Sequence, residues 1–167
     1  MRSAPGLLML ALAFVPIHSL RSEESDQQLL IQRLREAKIS LQEGIVSAQR
    51  NGRPITVQFE MKSGKLQLTV ETEKDGKFFR TNVDHTNALI DKAGQITDRP
   101  DLIQAKSHSA AMAHASTELK VAADKAVASA AGSRAIAVVP ELTDGHSVAR
   151  ILLLSGGRLL DVTERLD

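Results

Sequence analysis

Ile55-Thr56-Val57-Gln58-Phe59-Glu60-Met61-Lys62, then Ser63-Gly64, then Leu66-Gln67-Leu68-Thr69-Val70-Glu71 is the stretch that decides the fold. Apolar and polar residues alternate on both sides of the Ser-Gly pair. Ile55, Val57, Phe59 and Met61 therefore share one face of a strand, and Leu66, Leu68 and Val70 share one face of the next. Downstream, Lys74-Asp75-Gly76-Lys77 carries the Asp-Gly pair favoured in two-residue hairpins, where both central residues need positive φ. Phe78-Phe79-Arg80-Thr81-Asn82-Val83 reads as a third strand, with a register that two adjacent Phe leave open. A meander with one apolar face needs a cover on that face and leaves the other wet.

The cover lies just upstream. Ser40 is followed three residues later by Glu43, a pair that can satisfy two unpaired backbone donors reciprocally at a helix start. Leu41, Ile45, Val46 and Ala48 recur at helical spacing, and Asn51-Gly52 supplies a stop. The spacing predicts a helix over residues 40–51, weakened by Gly44 inside it. Residues 38–90 thus form one helix-plus-meander unit. Before it, residues 23–37 are polar with Leu29, Leu30, Ile31 and Leu34 interspersed, which fits a short helix or a frayed leader.

The pattern returns after residues 91–115, a polar, turn-rich and then Ala/Ser/His-rich stretch that reads as a linker with some helix near its end. Ser116 or Thr117 can cap a helix carrying Leu119, Ala122, Ala123, Ala126, Val127 and Ala130, with Gly132 as its stop. Ala135 to Val139, closed by Pro140, is a first strand. Asp144-Gly145 is a turn, Val148 to Leu154 a middle strand, and Gly156-Gly157 turns into Arg158 to Val162. Ile39 and Leu119, Ala48 and Ala128, Gly52 and Gly132, and Val57 and Ala137 each differ by 80, and Gly64 and Gly145 by 81. A near-constant offset across helix and sheet is the mark of a duplicated unit. The expected architecture is therefore α+β: two similar helix-plus-three-stranded antiparallel meander units, residues 38–90 and 116–167, packed together because about 50 residues bury little core alone. The all-apolar run Ile151 to Leu154 suggests that both faces of the second sheet are covered.

Composition excludes several function classes. Four Phe with no Trp or Tyr provide no stacking platform for single-stranded nucleic acid. Of 21 basic residues, removal of Arg2 and Arg21 leaves 19 against 20 acidic ones, so a chain without its first 22 residues has no general pull toward phosphate or anionic lipid. Zero Cys excludes disulfides, thiol nucleophiles and zinc-thiolate sites. At the start, Arg2 precedes an apolar run from Gly6 to Val15 broken by Pro16. That run is half of the roughly 20 residues a spanning helix needs. A short positive start, a short apolar core and small residues at Ser19 or Ser22 make residues 1–22 a secretory signal peptide, which places the protein in the periplasm or outside the cell with no stable membrane insertion after processing.

Residues 39–90, from Ile39-Ser40-Leu41 through Ala48, Gly52 and the two hairpins to Val83-Asp84-His85-Thr86-Asn87-Ala88-Leu89, resemble the PepSY domain. That family closes its last strand with Val-Asp-Ala-x-Thr-Gly-x-Val, and Asn87 takes the Gly position here. Residues 118–167 are similar to a more divergent copy without that motif. The resemblance implies a module that binds or restrains peptidases, or that senses at the cell envelope, and it brings no catalytic residues with it.

A search for chemistry finds little. His108 and His114 are six residues apart, roughly 240° around a helix, so they do not converge on a metal. His85 and His146 lie in no nucleophile or zinc motif, and His146 after its Asp-Gly turn reads as surface. Ser155-Gly156-Gly157-Arg158 lacks the following helix and Lys of a phosphate cradle. Glu71 and Glu73 share a strand face and read as solvated. The reading is a non-catalytic binding or regulatory module with no metal or cofactor, whose partner is an envelope protein such as a peptidase or sensor. Thr56, Gln58 and Glu60, or Gln67, Thr69 and Glu71, line its binding surface. The alternative is a periplasmic small-ligand or metal sensor. For exported protein, N-terminal sequencing should give a start between residues 20 and 24. A soluble fraction that begins at Met1 or Arg2 would remove the export reading.

Overall fold

In the structure, a computed structural model, residues 17–167 are described. The apolar run Gly6 to Val15 behind the expected signal peptide at residues 1–22 lies outside them. Helix α1 (Ile17–Arg33) passes through a single 3-10 turn (Leu34–Glu36) to α2 (Leu41–Ala48). Strands β1 (Arg53–Lys62), β2 (Lys65–Lys74), β3 (Lys77–Val83) and β4 (Ile90–Gln95) follow, then α3 (Arg99–Ala113), α4 (Leu119–Ser129), β5 (Arg134–Thr143), β6 (His146–Ser155) and β7 (Arg158–Arg165). The strands form one seven-stranded antiparallel sheet in the order β4-β3-β2-β1-β5-β6-β7. The chain is thus α+β. None of the described helices is long and apolar enough to cross a membrane.

Local chemistry explains each element. The Ser40–Glu43 capping box forms as its spacing predicts, with Ser40 Oγ accepting from the Glu43 N–H and Glu43 Oε2 accepting from the Ser40 N–H at 2.7 Å. All four tight hairpins, at Ser63-Gly64, Asp75-Gly76, Asp144-Gly145 and Gly156-Gly157, hold both central residues at positive φ, the type I′ geometry that matches strand twist. The adjacent Phe pair is resolved by alternation. Phe78, opposite Glu73, is buried on one face, and Phe79, opposite Thr72, is half-buried on the other.

Helices α2 and α4 cover one face of the sheet. α2 buries Leu41, Gly44, Ile45 and Ala48, and α4 buries Leu119, Ala122, Ala123 and Ala126. They rest on Val57, Phe59, Leu68, Val70, Val138, Ile151 and Leu153, all almost fully buried. Gly44 has a packing reason: a Cβ there would collide with Leu68 Cδ2. Strand starts in the two halves are spaced evenly: Arg53 and Arg134, Lys65 and His146, Lys77 and Arg158 each differ by 81. The buried helix pattern Leu41, Gly44, Ile45, Ala48 matches Leu119, Ala122, Ala123, Ala126 at a spacing of 78. Of the pairs read from sequence, Gly64 with Gly145 keeps the strand spacing of 81, whereas the pairs at 80 match neither spacing, and Ala128, paired there with Ala48, is exposed.

Four further expectations need correction. Residues 91–115 are no linker; they hold β4 and α3, and Ala105, Ala111 and Met112 of α3 are buried. Pro140 does not close β5, which runs on to Thr143. Val138 O faces β1, where it accepts from Thr56 Oγ1 at 3.1 Å; two residues on, the missing Pro140 N–H points the same way, past the end of the β1–β5 ladder. Of the run Ile151 to Leu154 in β6, only Ile151 and Leu153 are buried, while Leu152 and Leu154 are half-buried, so the second face of that half is thinly covered. Finally, the left-handed residue of the closing loop is Ala88 (φ 62°) and not Asn87. Asn87 instead donates to Asp84 and accepts from the Leu89 N–H.

Leu153 has no exposed surface. Leu153→Asp should cost roughly 3–5 kcal/mol in urea denaturation by burying an unpaired charge. A loss below about 1 kcal/mol would show that the site can reach water.

Candidate functional site

The polar phase of the strand alternation builds the site. Thr56, Gln58, Glu60 and Lys62 of β1, Thr69 and Glu71 of β2, and Arg80 of β3 project to the face opposite α2 and α4. Helix α3 lays Asp101, Gln104 and His108 across them, enclosing a cavity of about 390 Å³. A more apolar pocket of about 350 Å³ lies elsewhere, between the ends of α2 and α4, lined by Ile45, Pro54, Met112 and Leu119 among others. The polar cavity is the stronger candidate because several ionisable groups converge there.

Arg80 is its hub. Its Nη2 and Nε donate to Glu71 Oε1 at 2.7 and 3.2 Å, and its Nη1 donates to Asp101 Oδ2 at 2.7 Å. The bond to Asp101 raises the Arg80 pKa, burial works against it, and Glu71 adds to the rise. Burial pushes the Glu71 carboxyl up, but the nearby His108 and Arg80 more than offset this and hold it below the ordinary glutamate range. His108 Nδ1 stands 3.9 Å from Glu71 Oε2, too far for a hydrogen bond, and is itself buried without a partner. Glu60 accepts from Thr69 Oγ1 at 2.7 Å and from Gln58 Nε2 at 3.3 Å. At the far end of α3, Glu73 accepts from Ser109 Oγ and Arg53; the Ser109 bond leads in drawing its pKa down.

Of the proposed surface residues, Thr56, Gln58, Glu60, Thr69 and Glu71 meet in this cavity, whereas Gln67 is not part of its lining. Glu71 is not solvated surface: it is 7% exposed and ion-paired. His85 and His114 lie outside the lining, and the exposed His146 has its Nδ1 2.7 Å from Asp167 Oδ2. A linker reading of residues 91–115 hides Asp101, Gln104 and the place of His108 over the sheet, and alternation alone does not give Arg80 on β3 its carboxylate partners. Asp98 at the N-cap position of α3 and Pro100 at its first turn were the available signals. Among the described residues, no group of three or more His, Cys, Asp or Glu is placed to hold a metal ion. The chain matches no family model, no curated protein and no solved structure.

The arrangement offers paired charges of both signs on a fixed scaffold, a surface suited to hydrogen-bonded recognition. Arg80→Ala would leave Glu71 buried with no cation bonded to it and should cost roughly 2–3 kcal/mol in urea. The acid response gives a second check. Because folding lowers the Glu71 pKa, its contribution is complete above the ordinary value of 4.5 and is lost as pH falls through the lowered one. Below pH 4.5 the urea midpoint of the wild type should therefore fall more steeply than that of Glu71→Gln; equal slopes would take Glu71 out of the account.

Proposed function

We propose that this chain is an exported, non-catalytic binding module of the cell envelope, made of two PepSY-like units, that restrains a peptidase or takes part in envelope sensing. One observation carries the binding reading. The polar cavity is preformed, its charged groups already tied to one another by Arg80, Glu71 and Asp101. Side chains fixed in this way present a rigid pattern of donors and acceptors at little cost in ordering on binding.

The tandem reading is supported by backbone contacts as well as spacing. Lys38 and Ile39 N–H groups both donate to His85 O, and Ser116 and Thr117 N–H groups both donate to Leu166 O. The acceptors differ by 81 and the donors by 78, the same spacings that separate the strands and the helices. Each half thus ties the entry of its helix to the exit of its last strand by the same device. With Ala88 as the left-handed residue, Val83, Asp84, Ala88 and Ile90 fall at the spacing of the Val-Asp-Ala-x-Thr-Gly-x-Val closure, with Ala in place of Gly. Two of the remaining family positions differ, being His85 and Asn87.

A second reading, a small-ligand sensor, rests on the buried His108 Nδ1 that lacks a partner beside a cavity of about 390 Å³. The test is to tag the protein, express it in its own host and identify what co-purifies from the envelope fraction after mild crosslinking. Recovery of one peptidase or one sensor, lost with a Glu60→Ala/Gln104→Ala variant that still folds, is the expected result. Folded, exported protein that captures nothing would move the reading to a small ligand.

A further inference from the structure

The outermost strand β4 borders two pockets, one on each face of the sheet. On the α2 side, a pocket of about 380 Å³ is lined by Arg50, Asn51, Lys74 and Phe79 together with Ala93 and Gln95. On the α3 side, a pocket of about 280 Å³ includes Lys62, Asn82, Lys92 and Thr97, with Asp98 and the Arg80-bound Asp101 also in its lining. Arg50, Lys74, Lys62 and Lys92 are exposed, and none has an ion-pair partner within 4 Å among the described residues. Unpaired cations on both sides of one edge strand contrast with the interior of the site, where Arg80 is saturated by two carboxylates.

The backbone of that edge is open. Ile96 N–H donates to Phe78 O at 2.8 Å, which fixes Phe78–Ile96 as a hydrogen-bonded pair of the antiparallel ladder. Alternation makes Arg80–Gly94 and Asn82–Lys92 the next hydrogen-bonded pairs, so the N–H and C=O groups of Ala93 and Gln95 point away from the sheet. Ala93, Gly94 and Gln95 are exposed and uncharged. The opposite edge differs: β7 carries Arg158, Asp161, Glu164 and Arg165 along eight residues, the kind of charge that discourages strand addition.

We infer that β4 is a strand-addition site for an extended acidic peptide segment, which pairs with Ala93 and Gln95 and directs acidic side chains into the Arg50/Lys74 pocket. The inference rests on the binding-module reading and supplies its partner class. Backbone pairing gives such a complex its affinity, and side chains that alternate into pockets on the two faces give its specificity. The partner is protein, because the feature that defines the edge is a row of unpaired peptide groups flanked by cations. Phe79 in the lining of the α2-side pocket offers the stem of a Glu side chain apolar contact while Arg50 and Lys74 take its carboxylate.

The probe is an end-blocked, fluorescein-labelled hexapeptide of alternating Val and Glu, measured by anisotropy against the purified protein, with a Val/Lys hexapeptide as control. Val/Glu should bind, Val/Lys should not, and added salt should weaken the complex. Arg50→Glu/Lys74→Glu should reduce affinity at least about tenfold, since attraction becomes repulsion at two surface positions. Ala93→Pro removes an N–H that points outward and leaves the β3–β4 ladder its own donors, so circular dichroism should be unchanged while binding is lost. Equal binding of the two peptides, or full binding by Ala93→Pro, would overturn the inference. Crosslinked capture of a partner by both wild type and Ala93→Pro would overturn the edge assignment alone and leave the binding-module reading standing. If neither captures a partner, that wider reading fails.

Discussion

Two residue pairs, Val57 with Val138 and Gln58 with Ala137, hold the halves of this sheet together. Everything else depends on that short ladder. One half sets α2 on four strands and the other α4 on three, each too small to bury a comfortable core by itself. Joined at β1 and β5, they place Ile45, Leu119, Val57, Val138 and Ile151 in one continuous apolar layer. The ladder is short for a local reason. Pro140 offers no donor toward β1, and Thr56 Oγ1 takes the Val138 carbonyl instead.

Where that ladder ends, α3 takes over the joining. The Met112 carbonyl accepts from Arg53 of β1 at 3.2 Å, and the Ala111 carbonyl accepts from the buried Ser147 of β6 at 2.9 Å. These carbonyls also accept from the His114 and Ala115 N–H groups just past the helix, and their second bonds tie its end to both halves of the sheet. From that anchor the helix runs back over β2 and β3, where Asp101 and Ser109 meet Arg80 and Glu73. The polar cavity is a consequence of this path. A helix that crosses the polar face of a sheet must satisfy the side chains it covers, and the Glu71–Arg80–Asp101 chain does so. Such a chain is weak evidence for net stability, because desolvation offsets much of the attraction, yet it fixes the position of the helix.

The sequence is informative where one local rule decides the outcome and silent where tertiary contact does. Period-two alternation and Asp-Gly or Ser-Gly pairs locate the central strands and their turns, because type I′ geometry leaves few alternatives. The Ser40–Glu43 box marks the α2 start for the same reason. Helix α3 is different. Its buried positions Ala105, Ala111 and Met112 do not trace one clean stripe, since part of the helix rests on polar side chains and part is wedged against two strands. Strand β4 is rich in exposed polar residues and gains its extended form from pairing with β3. With α3 read as linker, the cover over Glu71 is out of sight, and a carboxylate on an alternating strand then reads as solvated.

The two halves differ in what their second face carries. In the first, that face holds Gln58, Glu60, Thr69, Glu71 and Arg80. In the second, Val139, Leu152 and Leu154 occupy it, half-buried, beside an exposed Arg150 that pairs with Glu141 and Asp161. The caps differ in the same sense: Ser40 closes a reciprocal box on α2, while Glu118 at the corresponding place on α4 makes no side-chain cap. One half carries the buried polar face under α3, and the other serves as its foundation. The division is physically economical. A polar face crossed by a helix needs a rigid base, and the second half provides one with two ten-residue strands in continuous register apart from a single bulge. The same bulge position recurs in β1, between Pro54 and Thr56, beside the Thr56 hydroxyl that reaches across the seam. An extra residue there bends the strand, and the bend lies where β1 stops pairing with β5 and α3 comes in.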